Sequence, residues 1–271
     1  MYSYRGTTTL VTGASRGLGT AYAAELARRG SDLVLVARSA TALDALADRI
    51  RAAHDITVTT RAADLTDRDQ VAALLRDLDA ASAPVDLLVN NAGMGPAGPF
   101  LGRPLEPAQT AVDLNVSALM ALTHGIGTPM AARGDGGIIN VASTAAFQPM
   151  PFQASYAATK AFVLSFTEAV AEELRGTGVR VMAAHPGGTD TAFFDGTSHT
   201  MDPRLIDSPE YVARRTLDDF ARGRSASYPG RRLNQVGSWL PRFLPRTTTA
   251  WITGRLNRTL GLDVVHATPV A

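Results

Sequence analysis

Short apolar runs rich in β-branched residues alternate along this chain with longer, alanine-rich runs whose apolar positions recur every three or four residues. The short runs predict strands over 8–11, 33–37, 58–61, 87–90, 137–142 and 180–184, with a short last strand near 225–228. The longer runs predict helices over 17–29, 40–53, 68–80, 107–130, 154–175 and 209–222, and Gly30 and Gly176 are placed to stop two of them. The strands are apolar throughout and do not alternate, which is the pattern of a parallel sheet covered by helices on both faces. The expected fold class is therefore α/β, a doubly wound parallel sheet in a single domain. Segments 189–208 and 231–271 do not fit the alternation, so the expected division is a main domain over 1–230 and a C-terminal extension over 231–271.

Composition narrows the function classes. At 271 residues the chain can bury one large core, and 45% hydrophobic with 19% charged residues is a globular balance. A net charge of +1 gives no global electrostatic case for nucleic acid. There is no cysteine, which excludes disulfides, thiolate metal sites and thiol nucleophiles. The five histidines are scattered without ligand spacing, so no metal is expected. The first residues lead straight into a strand with no signal-peptide pattern, and no run of 18 apolar residues occurs. A cytoplasmic location is the expectation.

Candidate chemistry gathers where strands end. The segment Thr12-Gly-Ala-Ser-Arg-Gly-Leu-Gly follows the first strand and opens the first helix. Glycines there let the backbone turn tightly and let a pyrophosphate approach free helix N–H groups. A Walker loop is excluded, because it needs a lysine and the only lysine in the chain is Lys160. Counting about 20 residues onward reaches Asp32, but Asp32 precedes the second strand, and ligands bind at the carboxyl ends. That end carries Arg38 and no acid. Arg38, with Arg16 of the glycine turn, suits a 2′-phosphate, so NADP(H) is expected over NAD(H). Asp64 and Leu65 close the third strand, and Asn90, Asn91, Ala92 and Gly93 close the fourth. The Asn side-chain amides can stitch neighbouring strand ends. Asn115 lies in a helical run, where asparagine has poor propensity, and Ser143 ends the fifth strand.

Tyr156 and Lys160 stand four apart, on one face of a helix. The fixed positive charge favours phenolate and is expected to pull the phenol's pKa down towards working pH. An arginine is a poor substitute for that compact charge.

Taken in order, the TGxxxGxG turn, Asp64-Leu65, the Asn-Asn-Ala-Gly turn, Asn115, Ser143, the YxxxK pair and Pro186-Gly187 resemble the short-chain dehydrogenase/reductase family over about 7–222. The resemblance implies a Rossmann domain, usually with seven strands, often in a homodimer or homotetramer. It implies that Tyr156 is the general acid and base, that Lys160 lowers its pKa and bonds the nicotinamide ribose, that Ser143 polarises a small-molecule carbonyl and that Asn115 holds a water in a proton relay. Cofactor contacts are expected from Gly13, Ser15, Arg16, Gly17, Leu18, Gly19, Arg38, Asp64, Leu65, Asn91, Ala92, Gly93, Tyr156, Lys160, Pro186, Gly187 and Thr189. The family often has an apolar residue where Thr189 stands, so that contact is expected through the backbone.

Three features extend this reading. Phe147, Met150 and Phe152 in loop 145–153, and Phe193 and Phe194 in loop 189–208, suggest an apolar or bulky substrate. Segment 231–262 holds six arginines, no acid and both tryptophans, Trp239 and Trp251. Packing on the core or a neighbouring subunit, a substrate lid, and contact with a membrane surface are its open readings; Pro241 and Pro245 interrupt a continuous amphipathic face and favour packing. A cofactor-sensing regulator on the same fold is the alternative to an oxidoreductase. An epimerase or dehydratase would show TGxxGxxG spacing and a larger C-terminal domain, and neither occurs here.

Overall fold

The computed structural model describes residues 1–81, 84–189, 206–231, 235 and 238–263. Seven strands, β1 (Thr8–Thr12), β2 (Asp32–Ala37), β3 (Val58–Ala62), β4 (Leu87–Asn90), β5 (Gly136–Val141), β6 (Val179–Ala184) and β7 (Ala226–Ser227), form one sheet in the order β3-β2-β1-β4-β5-β6-β7. Every pairing is parallel. The order reverses between β1 and β4, and that switch point opens a crevice at the carboxyl ends.

The helices are α1 (Gly17–Arg28), α2 (Ala40–Ala53), α3 (Arg68–Asp79), α4 (Glu106–Val112), α5 (Leu119–Arg133), α6 (Ala154–Glu173), α7 (Pro209–Ala221) and α8 (Arg246–Thr259). Alternate strand residues point to opposite faces. Val11, Leu33, Leu35, Leu87, Val89 and Ile139 pack on Leu26 of α1, Leu43 of α2 and Phe220 of α7. Leu10, Val34, Val36, Leu88 and Ile138 pack on Leu74 of α3 and on Leu122 and Met130 of α5, with Val170 of α6 against that layer. The two-sided apolar strands are thus explained by two helical layers. Strand and helix limits lie within a few residues of those expected from periodicity, with one exception.

The exception is the run expected as a single helix over 107–130. It is α4 and α5 joined by a π-helical turn, Asp113–Ala118. The widened turn centres on Asn115, whose Oδ1 accepts from Met94 N at 3.0 Å and whose Nδ2 donates to Met94 O at 2.8 Å. The side chain binds this backbone as a strand partner would, and wide turns of this kind recur at functional sites.

Asp32 sits at the start of β2 and accepts from Thr57 N at 2.7 Å, which makes it a structural residue at the far edge from the crevice. In the C-terminal extension, Leu240–Phe243 form a 3-10 turn before α8. Trp239, Phe243, Trp251 and Ile252 are exposed, whereas Thr249, Gly254 and Asn257 are buried. Phe193 and Phe194 lie outside the described residues.

Candidate active site

A cavity of about 780 Å³ runs along the carboxyl ends of the strands. Its floor begins at the glycine turn. Gly13 has φ +65°, and a Cβ there would stand 2.9 Å from Ala92 Cα. At Gly19 a Cβ would collide with the Gly13 carbonyl, so glycine is what lets α1 close on β1. Helices α2, α3 and α7 begin on Ser39, Asp67 and Ser208, whose side chains accept their first N–H groups. Helix α1 begins on Arg16 with no side-chain cap, which leaves its first N–H groups for an anion.

Every cofactor contact expected from sequence lines this one cavity, from Gly13 through Arg38, Asp64 and Gly93 to Thr189, and so do Ser143, Tyr156 and Lys160. Arg16 and Arg38 are exposed at its rim, and no ion pair holds either of them among the described residues. Asn91 Nδ2 donates to Thr12 O at 2.9 Å, while Asn91 N and Ala92 N both donate to Thr12 Oγ1, at 3.0 and 2.9 Å. The expected stitching of strand ends is therefore observed, between β4 and β1. Thr189 turns its hydroxyl back to Gly187 O at 3.2 Å.

Asn115 is the residue the cavity does not include. It is buried behind Met94, and its Nδ2 also donates to Thr159 Oγ1 at 2.9 Å. Thr159 Oγ1 in turn donates to Tyr156 O at 2.8 Å. Both Nδ2 hydrogens are committed, so the side chain has no donor left for a water. Sequence reading missed Thr159, because a threonine inside a helix carries no chemical signal of its own. It also missed Asn140, a polar residue in an apolar strand, which accepts from Asn90 Nδ2 at 2.9 Å and donates to Thr167 Oγ1 at 3.0 Å, tying β4, β5 and α6.

Ser143, Tyr156 and Lys160 are all buried. Ser143 Oγ accepts from Ala145 N at 3.1 Å, which turns its own hydrogen elsewhere. Lys160 Nζ donates to Val141 O at 2.8 Å and lies 5.9 Å from the centre of the Tyr156 ring. Gly93 leaves space beside it: a Cβ there would lie 3.4 Å from Nζ. Burial pushes the Tyr156 phenol up, against a smaller downward pull from its hydrogen bond with Ser143. Burial also draws the Lys160 ammonium down to about 8. Here the structure differs from the expected lowering of the phenol. Both groups are so far from water that burial disfavours the charged form of each.

The apolar wall also differs from expectation. Met150 lines the cavity, but Phe147 packs on His185 and Tyr228, with ring centres 5.0 and 6.0 Å away, and Phe152 lies under Arg258. A loop of alternating direction sends only some of its apolar residues inward. Leu114, Leu256, Leu260 and Leu262 supply the remainder of the wall, the last three from the C-terminal extension.

A model of the short chain dehydrogenase family matches residues 7–202. The chain belongs to the short-chain dehydrogenase/reductase family. Among its relatives, the ketoacyl reductase HetN of a Nostoc species is 34% identical over 215 residues, 79% of this chain and 75% of that protein. A short-chain dehydrogenase from Sphingobium yanoikuyae, solved in complex with NADPH, is 32% identical with a TM-score of 0.79, covering 97% of this chain and 98% of that one. A bulky-bulky ketone specific alcohol dehydrogenase from Comamonas testosteroni is 31% identical with a TM-score of 0.75, covering 89% and 95%. As a member of this family the protein is an NAD(P)-dependent oxidoreductase that acts on a small molecule. The glycine floor, the uncapped α1 and the row of strand-end residues fit a dinucleotide in shape and charge. No helix among the described residues is long and apolar enough to cross a membrane.

Proposed function

We propose that this protein interconverts a carbonyl and a secondary alcohol on an apolar or bulky substrate, with NADP(H) as the preferred cofactor. The observation that carries the reading is the convergence of Ser143, Tyr156 and Lys160 on the cavity whose other end is rimmed by Arg16 and Arg38. The bound nicotinamide supplies or accepts the hydride. The protein's own groups manage the proton. With one lone pair held by Ala145 N–H, Ser143 can aim its hydrogen at the substrate carbonyl oxygen. Tyr156, kept as a neutral phenol by burial, gives its proton to that oxygen as the alcohol forms, and takes one back in oxidation. Lys160 spends one N–H on Val141 O and keeps two for the cofactor ribose beside Gly93. Asn115 acts as a buried strut for Met94 and, through Thr159, for the backbone of Tyr156.

Two features support the finer points. Arg38 is an unpaired cation where an NAD-selective site places an acid, and the Sphingobium relative was solved with NADPH. The leucine wall lines the same cavity as Tyr156, and the Comamonas relative is specific for bulky ketones. The test is a panel of ketones and alcohols with each cofactor, following absorbance of the reduced nicotinamide. Bulky ketones should turn over with NADPH. Replacing Arg38→Asp should cost about 1.5–3 kcal/mol of NADPH binding, roughly 10–150-fold, and shift preference to NADH. Equal affinity of the unaltered protein for both cofactors would refute the cofactor assignment. Cofactor binding with no turnover of any carbonyl would favour a sensing role.

A further inference from the structure

The turn from Gln148 to Gln153 follows Ser143 and forms part of the cavity wall, and it is poorly equipped to hold itself. Pro149 and Pro151 have no N–H to donate. Its one internal backbone bond is Gln153 N to Met150 O, at 3.1 Å. Phe152 has φ +68° and is the only non-glycine residue in the left-handed region among the described residues. A bulky side chain disfavours that conformation, so something outside the turn must impose it.

Helix α8 supplies the restraint from more than a hundred residues away. The Thr253 hydroxyl has one hydrogen to share between Pro149 O at 2.8 Å and Thr249 O of its own helix at 2.9 Å, and the buried Asn257 donates through Nδ2 to Pro151 O at 2.7 Å. Gly254 lets the helix seat on the turn, since a Cβ there would lie 3.0 Å from Pro151 Cγ. The Arg258 guanidinium stands 5.3 Å from the centre of the Phe152 ring. On the other side, Gly98 N donates to Phe152 O at 2.7 Å. The same helix, with the Leu260 that ends it, and the same turn both face the cavity, through Leu256 and Leu260 and through Gln148, Met150 and Gln153.

We propose that Thr253, Gly254 and Asn257 are positioning residues that clamp this turn, making the α8–turn wall the element that selects bulky carbonyl substrates. The proposal rests on the carbonyl-reductase reading for its substrate and on the geometry of the turn for the clamp. A bulky ketone with its carbonyl at Tyr156 would extend its apolar part onto Leu256 and Leu260. A small ketone would not reach them.

The experiment compares the unaltered protein with Asn257→Ala, the near-isosteric Asn257→Asp, which loses the donor, and Gly254→Val, which pushes the helix off Pro151. Two readouts are taken: amide hydrogen exchange at Gly98 and Gln153, and KM and kcat for a bulky and a small ketone with NADPH. Exchange should quicken about tenfold in all three variants. KM for the bulky ketone should rise about tenfold, with kcat for the small ketone and NADPH affinity unchanged; tenfold corresponds to about 1.4 kcal/mol, the scale of one lost hydrogen bond. Unchanged exchange would overturn the clamp, even if the melting temperature fell. Quickened exchange with an unchanged bulky-to-small ratio would overturn the selectivity role. A protein with normal exchange differences that reduces no ketone at all would overturn the catalytic reading instead, which keeps the two failures distinct.

Discussion

Lys160 and Asp219 are both ionisable side chains buried to within a few per cent of full enclosure, and their surroundings are opposite. Asp219, on α7, has Arg224, Arg215 and Arg222 at 3.3, 3.5 and 3.9 Å and accepts from Ser227 Oγ at 2.9 Å. Its charge is answered, and the answer pins α7 to β7. Lys160 has one backbone carbonyl and no carboxylate among the described residues. Its ammonium is drawn down to about 8 by burial alone. A buried charge ringed by opposite charges is serving the fold. A buried charge held at a cost beside a cavity is serving a ligand or a reaction.

The largest expected effect breaks the reactive side of this contrast. Tyr156→Phe keeps the ring's packing and removes the proton. Turnover should fall by about 10²–10⁴-fold, the usual weight of a positioned acid, with NADPH affinity almost unchanged. Steady-state rates together with a fluorescence titration would check it, and turnover at the unaltered rate would remove Tyr156 from the mechanism. Lys160→Arg should be badly impaired as well, because a planar guanidinium cannot stand in for a compact ammonium between Val141 O and Gly93.

Stability should move in opposite directions at the two sites. Lys160 has a folded pKa near 8 against an ordinary 10.5, so below about pH 8 it is charged in both states and its full desolvation cost is present. As pH rises from about 8 to 10.5 the folded state gives up the proton first, and the cost disappears. Lys160→Met should therefore stabilise the protein at pH 7 by up to about 3 kcal/mol, on a scale of about 1.4 kcal/mol per pKa unit, and the gain should vanish near pH 10.5. Urea melts at the two pH values would show it; a variant less stable at pH 7 would mean that the ammonium is compensated after all. Asp219→Ala should do the reverse, losing about 2 kcal/mol through its charge-assisted bonds while the folded fraction keeps its kcat.

These contrasts also mark what the chain discloses before folding. The sheet was legible because its central strands are apolar on both sides, and the cofactor floor because Gly13 and Gly19 have no alternative where α1 closes on β1. Tyr156 and Lys160 were legible because four residues of helix set their separation. The π-turn was not, since Asn115 reaches Met94 across a loop and no local pattern encodes that bond. Nor were the directions of Phe147 and Phe152, which irregular backbone decides. The contact between Asn257 and Pro151 spans 106 residues, and nothing in a run of threonines, arginines and leucines announces which of them touch a distant proline. The burial of Tyr156 and Lys160 was equally hidden, because spacing gives proximity and says nothing of how much water is excluded.

The smallest predicted effect sharpens the comparison further, through pH. Burial keeps Tyr156 protonated through neutral pH, so the acid needed for reduction is present throughout that range. The Lys160 ammonium is lost as pH passes about 8. For kcat/KM measured against NADPH, which reports the groups of the free enzyme, reduction should hold a plateau below about pH 8 and decline above it, at most tenfold per unit. Oxidation needs Tyr156 as a base, so its rate should climb as pH rises towards about 8 and phenolate becomes accessible, then level off above it as loss of the ammonium offsets the gain. The two directions should thus diverge as pH rises, and both profiles should bend near pH 8. Asp219→Asn should leave that divergence in place, because its charge serves α7 and β7 and stands outside the cavity. A reduction profile flat to pH 10 would mean that the ammonium does not limit cofactor capture, and the contrast between the two buried charges would then be one of packing alone.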